Sequence, residues 1–386
     1  MRCLAVNPVV LLSPVADGYV AYDPIFDRLH HLNPVAALIA ELCDGSRTVE
    51  EIDRVVAPLL PSGRTPEVKR WIQHGLDVEF LILADAPTGR GREFSVEELC
   101  DLAARLWENG KMQSAFLCQQ RASELRDDDP GIWCSLGELA HIVGRREEAR
   151  DAYERYLELE PGDAEVAHLL VALRDDVPPT RVPDRCIQQL YQRFSSFFDT
   201  NLRDELSYQA PERMRDLVNA VTANGSGLKT LDLGCGTGLA GVEFRRFSSS
   251  LVGVDLSSEM VQLARNRNIY DVLEVAEITS WLLQRRGRFD VIVACDTLIY
   301  FGDLRQVVVP SAGLLDPGGI IAFSLERGDR HPFHLTDSGR YAHHPSHVRE
   351  VAEDAGLTVT RLEEGFLRME YGVEVDGLFV ALTRDE

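Results

Sequence analysis

The chain has 386 residues, 45% of them hydrophobic, and a formal net charge of −22. That length accommodates two or three domains with proper apolar cores. The acidic balance argues against a protein that tracks nucleic-acid phosphates, because such binding rests on Lys and Arg neutralising the backbone. Eight cysteines, at 3, 43, 100, 118, 134, 186, 235 and 295, form no C-x-x-C pair. That is the usage of reduced thiols in a cytoplasmic protein, without a disulfide framework or a zinc site. The apolar run at residues 9–12 is too short for a signal or membrane-spanning segment. Neither a nucleic-acid nor a membrane partner is expected.

In chain order, residues 9–12, 18–22 and 28–31 read as three short strands, with Ala16-Asp17-Gly18 and Asp23-Pro24 as turns. Asn33-Pro34 predicts a helix carrying Val35, Leu38, Ile39 and Leu42 on one face, stopped by Asp44-Gly45. Thr48-Val-Glu-Glu51 is a capping box for a second helix, and a third runs over about 66–80. The string from Leu32 to Ile52 resembles the PqqD-like family. The resemblance implies a small α+β, winged-helix-like domain over residues 1–88 that recognises the leader of a ribosomally made precursor peptide. In that family the leader adds a strand to the sheet edge and lays apolar residues beside the third helix. Carried over, the leader-binding residues are Arg28, Leu29 and His30 on the edge strand, and Trp71, Ile72 and Gly75 on the helix, flanked by Val68 and Leu76.

The middle of the chain repeats. Gly110 and Gly144 are 34 residues apart, as are Ala115 and Ala149. Trp133, Leu136, Gly137, Gly144, Ala149, Tyr153 and Pro161 resemble the tetratricopeptide pattern, with small residues where two helices cross. Leu99, Leu102, Ala103, Gly110, Ala115 and Ala122 form a looser first copy, and residues 163–173 are expected to cap the stack. An all-α segment over 95–176 is predicted, short enough to lean on a neighbouring domain. Residues 191–198 are aromatic at helical spacing, with Phe194, Phe197 and Phe198 as core or lid residues.

The run Thr230-Leu-Asp-Leu-Gly-Cys-Gly-Thr-Gly238, followed by Asp255 at the end of a second apolar strand, carries the chemistry. Three glycines allow a sharp turn and close approach of a ligand, and the carboxylate suits a ribose diol. Ser257-Ser258-Glu259 caps a helix, and residues 272–276, 289–296 and 320–325 continue the strands. Strands separated by helices imply a doubly wound parallel sheet with its ligand at the carboxyl ends.

The G-x-G-x-G spacing after Asp232 resembles motif I of the class I S-adenosylmethionine-dependent methyltransferases. The resemblance covers about 180–386 and implies a Rossmann-like sheet closed by an antiparallel hairpin (357–362 and 377–383), with S-adenosyl-L-methionine as cofactor. The implied cofactor-binding residues are Asp232, Gly234, Cys235, Gly236, Gly238, Asp255 and Leu256. Met260 would pack on the adenine, Glu277 and Ile278 would meet its edge, and Asp296 would border the transfer site.

Half of the ten histidines, His331, His334, His343, His344 and His347, fall between the fifth strand and the last helix, yet no metal site is expected. Ser338-Gly-Arg-Tyr-Ala-His343, Glu326, Leu367-Arg-Met-Glu370, Tyr208-Gln-Ala-Pro211 and Thr297-Leu-Ile-Tyr300 resemble the predicted tetratricopeptide-linked methyltransferases. Arg340, Tyr300 and Arg368 are candidate substrate-binding residues, Arg340 through a bidentate fork on an acceptor carboxylate. His343, Tyr341 and Glu326 are the catalytic candidates.

The expectation is a three-part cytoplasmic enzyme: a leader-recognition domain, a helical-repeat spacer and a methyltransferase domain. It would modify a precursor peptide, with other peptide-maturation enzymes as further partners. The rivals are a methyltransferase for a small carboxylic acid and a non-catalytic peptide-binding scaffold. Intact motif I and Asp255 speak against the scaffold.

Overall fold

The computed structural model describes residues 3–60, 66–84, 94–174, 176–194, 209–222, 225–370 and 373–385. The chain separates into two compact units, Met1–Pro161 and Gly162–Glu386. Among the described residues no helix is long and apolar enough to cross a membrane.

The first unit opens with β1 (Leu4–Val6), β2 (Leu11–Val15), β3 (Gly18–Asp23), β4 (Arg28–Leu32), α1 (Pro34–Leu42), β5 (Asp44–Arg47), α2 (Val49–Val56), α3 (Pro66–Asp77) and β6 (Leu81–Leu83). Two small antiparallel sheets result, β2-β3-β4 and β5-β1-β6. Asn33 caps α1 by accepting from the Ala36 N–H at 2.9 Å, and the Thr48–Glu51 capping box forms as expected. Ile39, Ile52, Val56, Val68, Ile72 and Leu81 fill the core. The β5-β1-β6 sheet was not expected, because strands of three or four residues carry too little alternation to be seen. Asp44-Gly45 does end α1, but the chain continues directly into β5.

Four helices follow as two hairpins: α4 (Val96–Glu108) with α5 (Met112–Leu125), and α6 (Pro130–Ile142) with α7 (Arg146–Leu159). Gly110 and Gly144 adopt φ of +72° and +76° just past α4 and α6, the left-handed turn that lets a helix end without a Cβ clash. Ala115, Ala122 and Ala149 are fully buried. A Cβ on Gly137 would stand 2.4 Å from the Tyr153 ring, so glycine is required where α6 crosses α7.

The expected cap of this stack belongs instead to the second unit, as α8 (Ala164–Leu173). Its partners explain why. The Ala164 N–H donates to the Gln189 side chain at 3.0 Å, and His168 hydrogen-bonds Gly339.

After α8 come α9 (Asp184–Phe194), α10 (Ala210–Val221), β7 (Leu228–Leu233), α11 (Leu239–Arg245), β8 (Ser248–Asp255), α12 (Ser258–Asn266), β9 (Val272–Val275), α13 (Ile278–Gln284) and β10 (Phe289–Ala294). Then follow α14 (Arg305–Gly313), β11 (Leu315–Arg327), β12 (Phe333–Leu335), β13 (Tyr341–His343), α15 (Pro345–Asp354), β14 (Leu357–Glu370) and β15 (Val373–Arg384). Residues 195–198 of the aromatic run, and Tyr208, lie outside the described residues.

The central sheet runs β11-β10-β7-β8-β9 with every neighbouring pair parallel. β15 pairs antiparallel with β11, and β14 with β15. This is the doubly wound, hairpin-closed sheet expected. The strand order reverses between β7 and β10, which opens a crevice at their carboxyl ends. The hairpin strands are longer than expected because charged residues such as Glu363, Glu364 and Arg368 interrupt the apolar pattern.

Candidate active site

The loop after β7 takes the conformation its glycines allow. Gly234, Gly236 and Gly238 have φ of +67°, +51° and +93°. A Cβ on Gly234 would sit 2.3 Å from the Thr297 hydroxyl, whereas nothing lies within 4 Å of one on Gly236. The loop is therefore packed underneath at Gly234 and open at Gly236, where a ligand can approach the backbone.

Asp255, 9% exposed, ends β8 beside this opening. Its carboxylate accepts from the Gly236 N–H at 2.8 Å and the Ser257 N–H at 2.9 Å. Burial raises its pKa against those opposing N–H groups. Asp232 lies deeper, 1% exposed, with one oxygen accepting from the Tyr270 hydroxyl at 2.6 Å and the other unpartnered. Burial pushes its pKa up to about 7.

Tyr270 was missed by the sequence reading. Its ring fills the space that Gly241 and Gly253 leave, since a Cβ on either would approach the ring to 2.4 and 2.9 Å. Met260, Cys235 and Ile278 are buried, and Leu256 is partly exposed. Glu277 caps α13 by accepting from the Thr279 and Ser280 N–H groups at 2.8 Å, and also takes a 3.1 Å bond from Arg181. Burial works to raise its pKa, but hydrogen bonds from Thr279 and Ser280 outweigh it and the net direction is down.

Asp296, just after β10, holds a left-handed φ of +52° that is costly for a residue with a Cβ. One of its oxygens accepts from Arg368 at 3.0 Å and the other is buried and unpartnered. Arg368, only 3% exposed on β14, also bonds Glu326 of β11 and, at 3.3 Å, Glu370. Glu370 in turn pairs with Arg340. Arg340, the expected grip on an acceptor carboxylate, thus already pairs with an internal one. Burial raises the Glu326 pKa against the neighbouring Arg368 and Arg340. The Tyr300 hydroxyl meets that of Tyr191 on α9 at 2.9 Å. Tyr191 is partly buried, and its pKa is raised chiefly by burial, with Tyr300 and Asp255 adding to the rise and Arg340 opposing it.

Two catalytic candidates turn out to be anchors. His343 is fully buried, and its Nε2 faces the carbonyls of Phe301 and Gly302 at 2.8 and 3.1 Å. A carbonyl only accepts, so Nε2 carries the proton. Burial, reinforced by His347, pushes its pKa down to about 3. The Tyr341 hydroxyl donates to the Pro179 carbonyl, and burial pushes its pKa up to about 12. Both are engaged with backbone carbonyls, whereas the third candidate, Glu326, is held by an arginine. Among the described residues no group of three or more His, Cys, Asp or Glu is arranged to hold a metal.

In the first unit the expected leader-binding residues divide. Arg28 and Leu29 are exposed on β4, which among the described residues pairs only with β3. His30 and Trp71 each make an edge contact with Phe80, at 6.1 and 5.9 Å between centroids. Ile72 is 1% exposed, and a Cβ on Gly75 would meet Leu81 at 2.9 Å. Both face the core of their own domain, so they do not line a groove. Helical period alone could not separate the two faces of α3.

Residues 231–323 match a family model described as a methyltransferase domain. A ubiquinone biosynthesis O-methyltransferase of Coxiella burnetii (strain Dugway 5J108-111) is 27% identical over 165 residues, 38% of this chain and 70% of that protein. The Bordetella pertussis (strain Tohama I) counterpart is 27% identical over 168 residues, covering 38% and 67%. Among solved structures, the N-methyltransferase NodS from Bradyrhizobium japonicum WM9 with S-adenosyl-L-homocysteine is 18% identical, with a TM-score of 0.42, covering 52% of this chain and 98% of that one.

Sheet order, glycine loop, Asp255 and the domain match define a class I S-adenosylmethionine-dependent methyltransferase. The chain is such an enzyme, and S-adenosylmethionine is its cofactor.

Proposed function

We propose that this methyltransferase modifies a ribosomally synthesised peptide whose leader is recruited by a PqqD-like N-terminal domain, with the tetratricopeptide-like hairpins as spacer, in the cytoplasm. The observation that carries the reading is the unpaired edge of β4, presenting Arg28 and Leu29 beside the aromatic trio His30, Phe80 and Trp71. An open strand edge offers main-chain hydrogen bonds to an extended peptide, and the aromatics offer apolar contact beside it.

The residues of the second unit fit the cofactor. Asp255 would accept the ribose hydroxyls, the loop at Gly234, Gly236 and Gly238 would admit the methionine part, and Met260 and Ile278 would border the adenine. When bound, S-adenosylmethionine supplies a methyl group already activated on a sulfonium. The protein's own task is to align the acceptor and relieve it of a proton. Glu326, buried, with its pKa raised and held by Arg368, is the group assigned that proton.

A second reading, O-methylation of a small molecule with the front domain architectural, draws on the relatives that bear O-methyltransferase names. The small-carboxylic-acid version would require Arg340, already paired to Glu370, to serve a second carboxylate. Mass spectrometry of a precursor peptide encoded beside the gene, after incubation with the protein and S-adenosylmethionine, tests the main reading. A gain of 14 Da per methyl is expected (order of magnitude from one CH₂, about 14 Da). Deleting residues 1–88 should raise KM for the full precursor far more than for a leaderless core peptide. Equal effects on both would make the front domain architectural.

A further inference from the structure

We propose that the acceptor group taken by the second unit is an amine and not a carboxylic acid. It binds as an ammonium and gives up one proton to Glu326, and its freed nitrogen then takes the methyl group as the carbon–sulfur bond of the sulfonium breaks. The inference rests on the methyltransferase reading and names the substrate chemistry of that same site.

Asp296, Glu326 and Glu370 are joined through Arg368 and Arg340 into one connected ion chain. Three carboxylates face two guanidiniums, which leaves a formal excess of one negative charge. The side chains of Arg368 and Glu326 are 3% and 6% exposed, so water does little to offset that excess. Both arginines already have carboxylate partners, so an incoming carboxylate would compete with Asp296, Glu326 and Glu370 for their donors. It would also bring a fourth negative charge into the cluster.

An ammonium meets the opposite situation. It carries the missing positive charge and three donors, and Asp296 holds a buried oxygen with no donor of its own. That oxygen is kept in place at a backbone φ of +52°, which the surrounding fold must maintain at some cost in stability. The Tyr191 and Tyr300 rings, 6.2 Å apart and edge to face, stand beside Arg340 and suit a cation bearing an apolar stem. In a peptide, a lysine side chain or the N-terminus has this form.

The test uses the full chain saturated with S-adenosylhomocysteine, titrated calorimetrically near neutral pH with benzylamine, benzyl alcohol and benzoate. These probes share a ring and differ only in the polar group. Benzylamine is expected to bind about tenfold more tightly than benzyl alcohol, with benzoate weakest. Glu370→Gln removes one carboxylate and frees Arg340, so it should bring benzoate binding up and benzylamine binding down. Should that variant fail to fold, the order of the three probes on the wild-type protein decides by itself. Benzoate or benzyl alcohol binding as well as benzylamine, or silence from all three, overturns the inference. Failure to bind S-adenosylhomocysteine in the first titration would instead overturn the methyltransferase reading.

Discussion

The imidazole of His168 on α8 donates to the backbone carbonyl of Gly339 across 2.9 Å, immediately before Arg340. Tyr341 donates to the Pro179 carbonyl, the Val182 N–H donates to the Tyr300 carbonyl, and the Gly302 N–H donates to the Thr180 carbonyl. His168, Pro179, Thr180 and Val182, some fifty or more positions before the glycine loop, therefore hold the backbone around Tyr300 and Arg340 in place.

Disturbing this clasp should cost stability first. Gly339 has a φ of +76°, and a Cβ there would reach Leu169 at 3.1 Å and His168 at 3.3 Å. Gly339→Ala is expected to destabilise the second unit by about 1–3 kcal/mol. His168→Ala, which leaves the carbonyl without its donor, should cost about 1–3 kcal/mol. Urea denaturation measures both, and values within about 0.5 kcal/mol of wild type would show that α8 does not hold the loop.

Asp255→Ala should weaken S-adenosylmethionine binding by about tenfold or more, as seen by calorimetry. Asp255→Asn keeps one acceptor oxygen and should lose less. Tight NAD binding with none of S-adenosylmethionine would contradict the cofactor assignment.

Arg368→Met replaces the guanidinium that Asp296, Glu326 and Glu370 share. Removing one partner of a buried ion network leaves uncompensated charge, and a loss of about 3–5 kcal/mol is expected. The denaturation midpoint should fall with little change in slope. A neutral outcome would mean that the carboxylates are already protonated in the folded protein.

His343→Gln preserves a donor toward the Phe301 and Gly302 carbonyls but cannot titrate. The folded pKa of His343 is depressed to about 3 from an ordinary 6.5, so the unfolded chain takes up a proton first as pH falls. Its contribution to stability is therefore complete above the unfolded pKa and is lost progressively from about pH 6.5 down to about 3. Wild type should lose about 1.4 kcal/mol per pH unit from this group across that window, and the variant should lack that slope. Turnover of the variant should stay near wild type, because the imidazole does not act as base. A collapse of turnover with stability intact would restore His343 to the chemistry.

Much of the second unit was legible because its signals are local. Gly234, Gly236 and Gly238 need left-handed backbone within five residues, and Asp255 closes an apolar strand seventeen positions after the last of them. The acceptor side was not legible in the same way. Arg340, Tyr341 and His343 sit in a polar, histidine-rich stretch where reactive and structural residues look alike. Only the neighbours separate them: Glu370 for Arg340, Pro179 for Tyr341, Phe301 and Gly302 for His343. The same limit applied to α3, where Trp71 and Ile72 are adjacent in sequence but only Ile72 is core.

The sequence by itself determined the cofactor loop, the order of strands and helices behind it, and the helix crossings at Gly137, Ala115 and Ala149. Each depends on backbone geometry or side-chain size over one or two turns of chain, and such constraints are written in residue type and spacing. The tertiary structure alone decided which carboxylates and guanidiniums neutralise one another, that α8 belongs with the methyltransferase unit, and that Glu326 pairs with Arg368 while His343 is held by backbone carbonyls. Those outcomes depend on burial and on partners up to 171 positions away, as His168 and Gly339 show. Electrostatic energy is set by distance in space and by desolvation, and neither is a property of a residue's position along the chain.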